Sequence, residues 1–104
     1  MANKYRGEIH AEIGGEIRTL VLTLGALAEL EDAFGVEDLV ALTERFSTGR
    51  LKARDLIRII GAGLRGAGET ISDDEVSRLV ADAGAQGYVR IAAALIAATF
   101  GDGA

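Results

Sequence analysis

Cysteine, proline and tryptophan are absent from this chain of 104 residues, and histidine and methionine occur once each. Without cysteine there are no disulfides, no thiolate metal sites and no thiol nucleophile, which fits a reducing cytoplasm. Without proline the strongest helix breaker is missing, so glycines carry most of the punctuation. Aromatics number five (Tyr5, Phe34, Phe46, Tyr88 and Phe100), which is few for a chain that anchors a tight interface. A basic surplus is missing too. Eleven Lys plus Arg against sixteen Asp plus Glu give a net charge of −5, the wrong sign for a nucleic-acid footprint. No long apolar run is present: Ile91 to Gly101 is about half of the roughly 20 residues that span a bilayer, so no membrane segment is expected. Met1–Arg6 has two positive charges and no apolar run behind it, so no signal peptide is expected either.

What remains is average globular material, 49% apolar and 26% charged, enough for one core. Glu8-Ile9-His10-Ala11-Glu12-Ile13 alternates with the period of a half-buried strand. Gly14-Gly15 is a two-residue hairpin turn, and Glu16 to Thr23 is rich in β-branched residues. An isolated hairpin is marginal in water, so this one must lean on helices and could also pair with a strand of another chain.

After Thr23 the period becomes helical. Leu24, Leu27, Leu30 and Phe34 share a face that Gly35 ends. Glu37 to Phe46 and Ala53 to about Leu64 form two more amphipathic segments. Ser72 and Glu75 make a capping box, with Ile71 placed to staple onto Val76, and this fourth helix runs toward a closing Gly84. Gln86 to Phe100 forms a fifth helix. The fold expected is α+β: one domain over residues 1–104, with an N-terminal β-hairpin in 1–23 and about five short helices in 24–100. The expected core is Ile9, Ile13, Val21, Leu27, Leu30, Phe34, Leu39, Leu42, Phe46, Leu56, Ile57, Ile60, Val76, Leu79, Val80, Leu95, Ile96 and Phe100.

Catalytic chemistry finds no footing in these residues. Gly61-Ala62-Gly63-Leu64-Arg65-Gly66 spells G-x-G-x-x-G, but at the end of a helical pattern, where the dipole repels phosphate. The glycines are better explained by helix termination and close helix–helix approach. Asp73-Asp74-Glu75 suits the first turn of a helix better than a metal site. His10 falls on the polar side of its strand beside Glu8 and Glu12, and Ser47, Ser72 and Ser77 lie in a turn, a cap and a helix. No catalytic, cofactor or metal residue is assigned.

Two features read as surfaces. Glu29, Glu31, Asp32, Glu37 and Asp38 form an acidic cluster, which is either a solvated face or an electrostatic guide for a basic partner. Ile91 to Phe100 carries no charge on any side, as a buried core helix does, or a helix with one face docked on a partner. The candidate partner-binding residues are Ile91, Leu95, Ile96, Phe100, Glu29 and Asp32.

The block Leu22-Thr23-Leu24-Gly25-Ala26-Leu27-Ala28-Glu29-Leu30-Glu31-Asp32-Ala33-Phe34-Gly35 resembles the signature of a small phage-tail family of alphaproteobacterial gene transfer agents and related prophages. Arg6-Gly7-Glu8, Ala53-Arg54-Asp55-Leu56-Ile57, the glycine-dense Gly61 to Gly68 and Ser72-Asp73-Asp74-Glu75-Val76 extend the resemblance from about Arg6 to Gly101. A small capping residue is expected before the third helix, where this chain has Lys52. The family is variously described as a tail tube protein and a tail assembly chaperone. The resemblance implies a non-enzymatic role in building a tail: a chaperone binding the tape measure or another tail protein, or a tube or terminator subunit that stays in the particle. It brings no cofactor and no catalytic residue. A homo-oligomer is compatible with it.

Overall fold

The computed structural model describes residues 7–48, 51–79 and 84–101. Two strands, β1 (Ile9–Ile13) and β2 (Glu16–Leu20), pair antiparallel with Ile13 opposite Glu16 and Ile9 opposite Leu20. Gly14 and Gly15 both have positive φ (67° and 81°), as the two central residues of a type I′ turn require. Five helices follow: α1 (Leu24–Phe34), α2 (Leu39–Ser47), α3 (Ala53–Gly66), α4 (Asp73–Arg78) and α5 (Gly84–Phe100). The expected hairpin-plus-helices architecture is the one observed.

Helix starts follow local chemistry. Thr23 caps α1 by accepting from Ala26 N–H at 3.1 Å, Asp38 caps α2 through Ala41 N–H at 2.8 Å, and Ser72 with Glu75 forms the capping box of α4. Since Asp38 is the cap, α2 starts at Leu39 rather than Glu37. At α3, Lys52 brings no side-chain cap of its own. Asp55 instead reaches back to accept the Lys52 backbone N–H at 3.0 Å. Gly35 ends α1 in the left-handed conformation.

The core gathers around α3, which lies under β2 and contacts α1, α4 and α5. Ile13, Leu20, Leu30, Leu42, Ile59, Ile60, Leu64, Val76 and Leu95 are completely buried or nearly so. The glycines that looked like helix terminators sit inside α3, which continues to Gly66. They allow close approach. A Cβ on Gly63 would lie 2.6 Å from Leu95 Cδ2 and 3.2 Å from Leu20, and one on Gly66 would collide with the Val21 carbonyl.

The structure departs from the sequence pattern at several other places. β2 ends at Leu20, three residues early, because Val21 N–H turns to the Gly63 carbonyl at 3.0 Å. Leu24 is 79% exposed, because it opens α1 beyond the core, and Leu39 at the start of α2 is 40% exposed. Ile9, Val21, Phe34, Ile57, Leu79, Ile96 and Phe100 are only half-buried, while Leu20, Leu22, Ile59, Ala62 and Ala92 take core places. Gly84 opens α5 instead of closing α4, which ends at Arg78. Val80 lies outside the described residues.

Candidate partner-binding surfaces

The six residues singled out as partner-binding fall into two groups that the fold does not join. On α5, Leu95 is fully buried against α3 and is a core residue. Ile91, Ile96 and Phe100 are half-buried and pack on the core. Phe100 is tied into an aromatic series: its ring centroid lies 6.4 Å from that of Phe46, which meets Phe34 edge-on at 5.7 Å. Arg45 stands 5.4 Å over the Phe34 ring and reaches the buried Asp55 at 3.2 Å, so α1, α2, α3 and α5 are knitted together here. The outer side of α5, with Ala93, Ala94 and Val89 (48% exposed), stays open.

On α1, Glu29 and Asp32 are exposed, but Glu29 is not free. It pairs with Arg65 of α3, which also contacts Asp73 of α4 at 3.0 Å and donates to the Ile71 carbonyl at 2.9 Å. Partial burial opposes the Arg65 charge, yet the hydrogen bonds to Glu29 and Asp73 and their attraction hold its pKa above the ordinary value. Asp38, another of the five acids, is occupied as the α2 cap.

A more suggestive surface was not visible in the sequence. Ala53, Leu56 and Ile57 of α3, Val76 and Ser77 of α4, and Ala85 and Tyr88 of α5 line a mainly apolar cleft of about 170 Å³. Tyr88 closes one side by donating from its hydroxyl to the Leu79 carbonyl at 2.5 Å, and burial raises its pKa, only partly offset by Arg18. The cleft offers no nucleophile paired with a base. Among the described residues no group of three or more His, Asp and Glu side chains could hold a metal. No helix among them is long and apolar enough to cross a membrane. Asp73, Asp74 and Glu75 form the first turn of α4, as their capping pattern requires, and His10 is exposed on β1.

A family model described as "Phage tail tube protein, GTA-gp10" matches residues 6–102. No curated protein and no solved structure matches the chain.

Proposed function

Because the chain belongs to the phage tail family described as tail tube protein GTA-gp10, we propose that it serves tail building as a chaperone, binding helical segments of the tape measure protein before the tube forms around them. It acts by covering apolar surface and transforms no substrate. The observation that carries this reading is the apolar cleft between α3, α4 and α5, whose size suits one or two side chains of an amphipathic helix laid across it. A shallow cleft without tryptophan makes a modest interface, as a chaperone that must later let go requires. The net charge of −5 keeps such a complex soluble.

The family description favours a second reading, a tube or terminator subunit retained in the particle. Against it stands the small amount of sheet: two strands among the described residues, where a tube wall is a ring of β-sheet. Co-expression with the tape measure protein tests the first reading. The pair should co-purify, and Ala85→Arg, at an exposed helical position on the cleft rim, should abolish capture while the circular dichroism spectrum is unchanged. Mass spectrometry of finished particles tests the second. Stoichiometric copies in the particle together with no capture would replace the chaperone reading by the structural one.

A further inference from the structure

Among the described residues the two-stranded sheet has two unpaired edges, and they are not alike. In the observed register Ile13–Glu16, Ala11–Arg18 and Ile9–Leu20 exchange hydrogen bonds within the hairpin, so His10 and Glu12 point their backbone N–H and C=O groups out along the open edge of β1. Ile17 and Thr19 do the same on β2, but that edge runs beside Ala67 and Glu69 of the turn after α3, and Arg18 bridges to Glu69 at 2.5 Å. Both edges open on grooves, about 370 Å³ at β2 and about 310 Å³ at β1, but only the groove at β1 has a helix as its far wall. One wall of that groove is Ile9 to Glu12. The other is α5, through Gly87, Arg90, Ile91 and Ala94, one turn after another. The small side chains of Gly87 and Ala94 leave width for a strand, and Ile91 gives it an apolar floor.

We propose that this groove takes β1 of a second copy of the chain, antiparallel, forming a four-stranded sheet across a two-fold axis at Ala11. Parity and charge select that register. Only outward-facing residues can bond across the new seam, so His10 and Glu12 must meet His10 or Glu12 of the partner copy, or a position two further on. Centring on Ala11 sets each His10 opposite a Glu12, an unlike pair made twice by the two-fold symmetry. Shifting by one step either way sets His10 against His10, or Glu12 against Glu12. An exposed strand edge is otherwise an open template for uncontrolled pairing, and closing it on itself removes that hazard. The inference is independent of tape measure binding, which uses the cleft on the other side of α5's first turns.

The absence of cysteine makes a clean test. Ala11 faces its own symmetry mate in a non-hydrogen-bonded pair, with Cα atoms about 4.5 Å apart, within disulfide reach. Full-length Ala11→Cys should convert mostly to a covalent dimer in a mild thiol redox buffer, and Thr19→Cys on the β2 edge should not. Sedimentation equilibrium of the unmodified chain should give twice the 10.8 kDa chain mass. His10→Glu, which sets acid against acid, should weaken the dimer at least about tenfold, and His10→Glu with Glu12→Lys should restore it. A monomer at about 200 μM, well above the roughly micromolar Kd of a modest interface, would overturn the proposal. So would equal crosslinking at positions 11 and 19, or a dimer indifferent to His10→Glu.

Discussion

Replacing Gly63 by alanine pits two opposed effects against each other at one atom. In a helix interior alanine is favoured over glycine by about 1 kcal/mol. The new Cβ, however, would sit 2.6 Å from Leu95 Cδ2 and 3.2 Å from two Leu20 carbons, where carbons prefer about 3.5–4.0 Å. Leu20 and Leu95 are both completely buried, so neither can swing aside into solvent. Overpacking of this kind costs about 1–3 kcal/mol, and with three overlaps the upper part of that range applies. The expected net is a loss of about 1–2 kcal/mol by urea denaturation, or roughly 4–8 °C in Tm per kcal/mol for a domain of this size. Leu95→Ala alone should cost about 3 kcal/mol by opening a cavity. Combined, the truncation removes the worst clash, so the double variant should be less destabilised than the sum of the singles by about 1–2 kcal/mol. Gly25→Ala is the control: that glycine lies in α1 with only Thr23 Oγ1 nearby at 3.8 Å, so it should gain about 0.5–1 kcal/mol. If Gly63→Ala is as stable as the parent, or the double variant is simply additive, the packing argument for α3 fails.

Asp55→Ala removes the carboxylate that holds both Lys52 N–H and Arg45, and should cost about 2–3 kcal/mol by urea denaturation. Arg65→Ala unties α1 from the start of α4 and should cost about 1–2 kcal/mol, a loss that shrinks as salt is raised. Tyr88 has a folded-state pKa above its ordinary 10.0, so its stabilising effect is complete below pH 10 and is lost as pH rises through the higher folded value. Absorbance at about 295 nm should show Tyr88 ionising above the ordinary tyrosine pKa of 10.0. Tyr88→Phe should lower stability at pH 7 by about 1 kcal/mol and shallow the alkaline decline.

The features legible in the sequence were the ones decided locally. Gly14-Gly15, the Ser72–Glu75 box and Gly35 each act within four residues, and all stand where the pattern put them. The α3 glycines marked close approach correctly but misled as helix terminators, because glycine's low helix propensity is about 1 kcal/mol, a small term beside the contacts of Leu20 and Leu95 that only the tertiary fold supplies. Gly84 misled in the same manner, as its left-handed φ of 62° starts a helix here as readily as it would end one. Among the candidate partner residues, Glu29 looked like free surface because its cation, Arg65, is 36 residues away. Leu95 looked no different from Ile91 or Ile96 in a helix apolar on every side, and only packing tells which of them faces α3. The apolar cleft draws on three helices and leaves no single signature in the sequence.

The exit from the hairpin is fastened backbone to backbone, with Val21 N–H on the Gly63 carbonyl and Gly66 pressed against the Val21 carbonyl. Tension applied to the hairpin therefore runs directly into the central helix instead of being taken up by a slack connector. Stretching the molecule from that end must shear the clasp and the Leu20–Leu95 packing in one event. Under load the hairpin behaves as a rigid handle of the whole body.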